Sequence, residues 1–282
     1  MKYTNKLNLP QSIVNCCKEN DELKENRYSI TELLKPTQEI LLTRKYYKDI
    51  EVDVSDCINV LFGSAVHKLL EDNDNENVEK EVKMELDFNG YIIVGKFDRR
   101  DLKNQLIEDY KTGTVSKVTK GDFEDYRKQG LAYAWMTFKL TNILIRKLKF
   151  YILLKDYSKL KSTISTNYPS NAIYIWEYDI KDSDYEYIEK YIKDKLDSLK
   201  NDNNACTDEE RWFTGNKYAV YKKVGDKRAF KTFDNEEDAH KCISEELNGT
   251  GEIEIRKGEY IKCKFYCNCS KFCNQWRNEN EC

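Results

Sequence analysis

The chain is 282 residues long and nearly charge-balanced, with 47 Lys and Arg against 50 Asp and Glu for a formal net charge of -3. That length can bury a sizeable core and fits one large domain or a domain with an appendage. No run of about 18 apolar residues is present, which excludes a membrane-spanning helix, and the charge balance excludes a global basic field, leaving any nucleic-acid binding to local patches or to metal. Ten cysteines behind a polar N-terminal stretch with no secretion signal predict a reducing, cytoplasmic setting with thiols that are free or metal-bound.

Residues 1–28 read as a polar, weakly patterned segment, and Cys16-Cys17 as ordinary thiols on a short helix. From Ser29 a helix is expected: Ser29 or Thr31 supplies a cap, and Ile30, Leu33 and Leu34 have helical spacing. Pro36-Thr37 interrupts, and Ile40, Leu41 and Leu42 begin a second helix. Residues 60–71 repeat apolar positions at helical spacing and place Gly63 and His67 four apart on one face. A glycine there permits close approach of a backbone or a ligand, and His67 stands one turn later. A lone histidine on such a helix is more often a hydrogen-bonded core residue; ahead of the Asp98 and Asp109 pair it becomes a candidate ligand or proton-handling group.

Alternation at Val82, Met84, Leu86 and Phe88 predicts a strand, Asn89-Gly90 a tight hairpin turn, and residues 91–97 the returning strand. Lys103-Asn104 turns the chain again into a third strand through Ile107-Glu108-Asp109-Tyr110-Lys111, closed by Thr112-Gly113. Alternate residues share a face, so Asp109 and Lys111 project together. By themselves they are also the residues of a salt-bridged strand end. Antiparallel pairing, however, brings Asp98 and Asp109 to adjacent strand ends, where two carboxylates repel unless a cation lies between them. A divalent metal such as Mg²⁺ meets that need. A polar loop then leads to Asp122, and a helix from Phe123 to about Leu140 puts Gln129 and Tyr133 on one face. They read as either a core pair or a substrate-contacting pair.

The order Gly63-x-x-x-His67, Gly95-x-x-Asp98, Asp109-Tyr110-Lys111-Thr112-Gly113 and Gln129-x-x-x-Tyr133 resembles the RecB/AddB-like exonuclease branch of the PD-(D/E)XK nuclease superfamily, which is similar also to CRISPR adaptation nucleases. The resemblance covers roughly residues 29–200. It implies an α/β fold with a restriction-endonuclease-like αβββαβ core, a mixed central sheet flanked by helices, and a metal-dependent hydrolase acting on DNA. It further implies that His67, Asp98, Asp109 and the backbone carbonyl of Tyr110 bind Mg²⁺ or Mn²⁺. Lys111 would orient or activate the attacking water, and Gln129 and Tyr133 would support the site. Phosphodiester hydrolysis asks for this chemistry, a hydroxide-like nucleophile and neutralised charge at phosphorus. No Walker loop, dinucleotide turn or Ser-His-Asp order competes for these residues.

Residues 148–154 and 172–178 read as two further strands. The polar, basic loop 155–169 between them, with Tyr157 and Tyr168, suits either DNA or plain solvation. An amphipathic helix carries Tyr185, Ile188, Ile192, Leu196 and Leu199. Asn201-Asp202-Asn203-Asn204 marks a boundary, giving a nuclease core over 29–204, a small ββα-type elaboration over 205–258 and a Cys-rich tail over 259–282. Around the expected hairpin at Gly225-Asp226, Lys217, Tyr218, Lys222, Lys223, Lys227 and Arg228, with Trp212, mix aromatics and positive charge in a weak nucleic-acid-binding signal.

The tail spacing Cys263-x3-Cys267-x-Cys269-x3-Cys273, followed by Cys282, favours a metal site over disulfides. In some nucleases of the resembled branch, three C-terminal cysteines and one near the start hold an iron–sulfur cluster. Cys263, Cys267 and Cys273 approximate that trio, with one extra residue in the first gap, while Lys35 stands where the early cysteine should precede Pro36-Thr37. Cys269, Cys57 or Cys16 is left as a substitute, and [4Fe-4S], Zn²⁺ and no metal all stay open. The expected function is an exonuclease of DNA recombination or repair, of phage type and so in the host cytoplasm, with any helicase or recombination partner on a separate chain. The alternatives are a structure-selective endonuclease or nickase, and a non-catalytic nucleic-acid-binding subunit with a structural metal clamp.

Overall fold

The computed structural model describes residues 1–17, 23–74, 77–201 and 204–280; Asp202 and Asn203 of the expected boundary, and Cys282, lie outside them. The chain divides into two compact units, Met1–Asn204 and Ala205–Cys282.

The first unit runs β1 (Lys2–Thr4), α1 (Gln11–Cys17), β2 (Arg27–Ser29), α2 (Ile30–Leu33), α3 (Thr37–Lys45), β3 (Glu51–Asp53), α4 (Ile58–Asn73), β4 (Glu79–Lys80), β5 (Lys83–Phe88), β6 (Tyr91–Lys96), β7 (Arg99–Asp101), β8 (Leu106–Gly113), α5 (Val115–Lys120), α6 (Glu124–Thr141), β9 (Lys147–Leu154), α7 (Lys159–Ile164), β10 (Ile173–Asp179) and α8 (Asp182–Ser198). A five-stranded mixed sheet has the order β10-β9-β8-β7-β4, and a three-stranded sheet the order β2-β6-β5. Of these neighbours, β8–β9 and β2–β6 are parallel and the rest antiparallel. Helix α4, the strands from β4 to β8, α6 and β9 therefore reproduce the αβββαβ order.

The strands β4–β5 and β6–β7 are two arms of one bent hairpin. Its register never slips: Phe88 faces Tyr91 and Lys83 faces Lys96 in the three-stranded sheet, while Lys80 faces Arg99 and Glu79 faces Arg100 in the five-stranded one. The tight turn holds Asn89 at φ 54° and Gly90 at φ 80°, the left-handed pair that a twisted two-residue hairpin requires. Between the two ladders, Glu81 and Asp98 both sit at bends.

Helix α6 is the buried pillar under this sheet. Its residues Gly130 to Thr137 are all buried, and Trp135, fully buried, donates from Nε1 to Glu189 of α8 at 3.0 Å. Two glycines set how closely the layers approach. A Cβ on Gly130 would stand 2.6 Å from Leu148 Cδ1, and one on Gly95 would stand 2.9 Å from Met136 Sδ and 3.2 Å from the Tyr133 ring.

Several expectations need correction. Residues 1–17 are not merely a polar segment: β1 pairs in parallel with β3, and Val14 and Cys17 are buried with Val54 and Cys57. Elements this short carry too few residues for periodicity to announce them. The polar stretches at 113–122 and 155–169 hold α5 and α7, fixed by local stops and caps: left-handed Gly121 ends α5, and the Ser158 side chain accepts from Lys161 N at the start of α7. Helix α4 has the expected apolar spacing yet buries none of its residues, with Phe62 and Leu69 more than half exposed. At Gly63 the nearest atom to an added Cβ is Thr112 Oγ1 at 4.0 Å, so that position is open rather than pressed by backbone.

In the second unit, β11 (Lys217–Tyr221) lies between β12 (Lys231–Phe233) and β13 (Glu252–Arg256), antiparallel to both. Helix α9 (Glu236–Glu246), capped by Asn235, buries Ala239 and Cys242 with Val220. The remaining helices are α10 (Ile261–Phe265) and α11 (Asn274–Asn280). The tail is tied to the start of the unit: Arg211 pairs with Glu279 and stacks 3.4 Å over the Tyr260 ring. No helix among the described residues is long and apolar enough to cross a membrane.

The two motif glycines should respond oppositely to alanine. Gly95→Ala forces α6 and the hairpin apart and should cost about 1–3 kcal/mol, whereas Gly63→Ala fills open space on a helix and should gain up to about 1 kcal/mol. Urea-denaturation midpoints of the two variants moving in the same direction would contradict this packing.

Candidate active site

Strand β8 carries the centre of the site. Asp109 is 2% exposed, and the Lys111 ammonium, on the same face, pairs with its Oδ2. Aromatic rings wall in that ammonium, with Phe150 at 5.7 Å and Tyr126 at 5.9 Å. Apart from the ion pair, Asp109 Oδ2 is buried with no hydrogen-bond partner. Burial is the main reason the Asp109 carboxyl is pushed up to about 6; Asp98 adds to the rise and Lys111 opposes it.

Asp98 links β8 to helix α4. Its Oδ2 accepts from Tyr110 N at 2.7 Å, where β7 has left the edge of β8, and its Oδ1 lies 3.2 Å from His67 Nδ1. The hydrogen bond to Asp98 raises the His67 pKa, against the opposing effect of burial. Hence α4, though it buries nothing, is fastened to the sheet through its histidine. The His67 and Tyr110 rings meet edge to face, centroids 6.4 Å apart.

The hairpin register adds a residue that motif reading misses. Lys80 faces Arg99 and Lys83 faces Lys96, so Glu81 falls opposite Asp98, and Glu81 N donates to Asp98 O at 3.0 Å. Arg99 faces Glu108 on β8, and one further step sets Asp98 beside Asp109. Three carboxylates, two at the hairpin bends and one on β8, thus form one row across the chain segments, although like charges directly opposite one another are destabilising. Ligand atoms of His67, Glu81 and Asp98 all lie within 4.8 Å of one another, the one such trio of His, Cys, Asp or Glu donors among the described residues. The signal for Glu81 was in the sequence: counting back from the Asn89-Gly90 turn pairs position 81 with 98.

Gln129 and Tyr133 stand behind this row. Gln129 Nε2 donates to the Tyr133 hydroxyl at 2.9 Å, and the buried Tyr133 ring lies against Gly95. They brace the hairpin just before Asp98. On the other face of β8, Glu108 accepts from Tyr151 at 2.6 Å and meets Arg99 at 3.3 Å. Its charge is absorbed in structure.

In the second unit, Cys263, Cys267, Cys269 and Cys273 occupy the tail around α10 and the start of α11, and none of the described cysteines is in a disulfide. Cys267 and Cys269 have their sulfurs 3.4 Å apart. A cysteine absent from the tail pattern joins them. Cys206 is fastened through its backbone N and O to the Gln275 side chain, both at 2.9 Å. Its thiol is pushed up to about 12, first by burial and then by Glu210, Cys273, Cys263 and Cys267. Cys57 donates instead to Asp53 O inside the small core of the first unit, and Cys16 is exposed. The basic residues divide: Lys217 pairs with Asp234 and Tyr218 packs against the α9 core, while Lys222, Lys223, Lys227 and Arg228 are exposed on the turn between β11 and β12.

No protein-family model matches the chain, and no curated protein matches it. Among solved structures it is similar to the crystal structure of SSO0001, at 18% identity over 71% of this chain and 87% of that one, with a TM-score of 0.48. It is also similar to an alkaline exonuclease, LHK-Exo, from Laribacter hongkongensis (10% identity, 62% of this chain, 88% of that one, TM-score 0.40). A phage-related exonuclease from Haemophilus somnus 129PT is a further likeness (10% identity, 57% of this chain, 70% of that one, TM-score 0.32). Likeness at this level assigns no activity to the chain.

Proposed function

We propose that the chain is a metal-dependent PD-(D/E)XK deoxyribonuclease of the RecB/AddB-like branch, an exonuclease of DNA recombination or repair. The observation that carries this reading is the buried Asp109, whose Oδ2 lacks a hydrogen-bond partner beyond Lys111, aligned with Asp98 and His67. Such a donor set fits a hard divalent cation, Mg²⁺ or Mn²⁺, held by His67, Asp98, Asp109 and the Tyr110 carbonyl. When bound, that cation supplies a Lewis acid for the phosphate and an acidified water.

The chain's own residues do the rest. Asp98 fixes the His67 ring and, by accepting from Tyr110 N, fixes the β8 backbone beside Asp109. Lys111, shielded by Tyr126 and Phe150, offers an ammonium to the attacking water and to charge developing on the phosphate, where exclusion of solvent strengthens it. Gln129 and Tyr133 keep the hairpin seated. A purely nucleic-acid-binding subunit has no need of a buried carboxylate and a partly buried ammonium at this spot.

The test is digestion of end-labelled linear and covalently closed circular DNA with Mg²⁺, Mn²⁺ or EDTA. Wild type should degrade linear DNA only, and Asp109→Asn and Lys111→Ala should each lower the rate by about 100-fold or more. Cutting of closed circles would replace the exonuclease with the endonuclease or nickase. DNA binding with no cleavage under either metal would sink the enzyme reading.

We further propose that Cys206, Cys263, Cys267 and Cys273 hold a structural metal group. The backbone clamp between Cys206 and Gln275, two residues past Cys273, supports this set. Zinc would draw the thiolates to roughly 3.8 Å from one another, as tetrahedral Zn–S bonds of about 2.3 Å require. No three of the described thiols lie within 4.8 Å of each other. In an iron–sulfur cluster each thiolate would instead cap a separate iron and stand farther from its neighbours. In protein purified without air, Cys206→Ser should lose bound metal as fully as Cys263→Ser, while Cys242→Ser, in the α9 core, keeps it. Iron, sulfide and zinc analysis checks this, and metal retained by Cys206→Ser would reject the set.

A further inference from the structure

We propose that Glu81 and Lys96 form an exchangeable latch on the metal site: Lys96 neutralises the Glu81 carboxylate when no divalent cation is bound, and the cation takes over that carboxylate and releases Lys96. The proposal rests on the metal-binding reading above and adds a ligand and a competitor to it.

Glu81 is placed by the fold, beyond the reach of its own rotamers. It sits where the hairpin passes from one sheet to the other, at φ 52°, a left-handed conformation that a non-glycine residue adopts only when its surroundings enforce it. Its N–H is held by Asp98 O, and its carboxylate comes within ligand distance of His67 and Asp98. The donor set is therefore an imidazole and two carboxylates converging from a helix and the two bends of the hairpin. Next along the row, the buried Asp109 Oδ2 has Lys111 as its one partner. Each carboxylate has a single monovalent partner, Lys111 at Asp109 and Lys96 at Glu81, where a divalent cation could serve the whole row.

Lys96, on β6, pairs with Glu81 Oε2. The Glu81 side chain is 18% exposed and that of Lys96 is 57% exposed, so the ammonium arrives from solvent and can return to it. An ion pair so open adds little stability of its own. Its consequence lies elsewhere: it fills the coordination position of Glu81 with a monovalent charge that a divalent cation must displace. The other basic side chains nearby are committed, Lys80 to Asp74 at 3.2 Å and Arg99 to Glu108 at 3.3 Å, which leaves Lys96 as the exchangeable one.

The experiment is calorimetric titration of the full chain with Mn²⁺, with the electron paramagnetic resonance of free Mn²⁺ giving the stoichiometry, for wild type, Asp109→Asn, Glu81→Gln, Lys96→Met and the Glu81→Gln/Lys96→Met pair. Glu81→Gln should weaken binding on the order of tenfold. Lys96→Met should tighten it several-fold, because no ammonium has to be expelled. In the double variant that gain should vanish, leaving the affinity of Glu81→Gln alone. The latch is overturned if Lys96→Met binds no tighter than wild type, or if its gain survives in the Glu81→Gln background, since Lys96 then acts only through the general field. If Mn²⁺ binds, depends on Asp109 and ignores Glu81→Gln, the latch fails and the metal site stands. If wild type binds no Mn²⁺, both fail together.

Discussion

The register of a single hairpin is the constraint from which this site follows. One tight turn at Asn89-Gly90 fixes the register between residues 79–88 and 91–100, and the next antiparallel ladder adds Asp109 to the row that Glu81 and Asp98 begin. A slip of one residue would turn these side chains to the opposite face. Two full charges at roughly 4–5 Å repel by about 3–4 kcal/mol at an effective dielectric near 20. A row of three carboxylates therefore persists only beside compensating cations. In this chain they are Lys111 at Asp109 and Lys96 at Glu81, with the His67 imidazole hydrogen-bonded to Asp98.

That compensation is local and incomplete, which separates a working site from an ordinary ion pair. Taking an Asp and a Lys out of water costs more than their attraction returns unless further hydrogen bonds satisfy both, and well-packed apolar residues are often the more stabilising choice. Arg100 on the neighbouring strand shows the satisfied case, with Glu79 at 2.7 Å and Thr137 Oγ1 at 3.0 Å. Asp109 has only Lys111 on its Oδ2, and its carboxyl is pushed up to about 6 by burial before anything else. A chain selected for stability alone would not keep a carboxylate there.

Much of this was legible in the residues because the decisive elements are long or sharply punctuated. The helix of His67, the hairpin turn, β8 and the helix of Gln129 and Tyr133 each carry eight or more residues or a left-handed turn pair, and their order matches the resemblance drawn from them. Three-residue strands such as β1 and β2 gave no periodic signal, and α5 and α7 are made by caps rather than by an apolar face. Helix α4 misled in a different way. Its apolar spacing is real, but tertiary context leaves Phe62 and Leu69 in solvent and holds the helix through His67. Cys206 was hidden because spacing arguments group cysteines close in sequence, whereas the clamp to Gln275 ties it to a residue 69 positions downstream.

Glu81 shows why motif reading and physical reading diverge. A motif records residues at fixed spacing, and nothing in Gly95-x-x-Asp98 refers to the partner strand. The pairing rule refers to nothing else. Passing the hairpin from the three-stranded to the five-stranded sheet needs a sharp change of direction between Lys83 and Lys80, and the left-handed φ of Glu81 supplies it. The same backbone event turns the Glu81 carboxylate toward Asp98 and His67 instead of leaving it in the solvent-facing series of β5. The bend that completes the sheets and the delivery of a third carboxylate are one conformational choice, and a sequence scan that tests helices, strands and motifs separately has no place to register it.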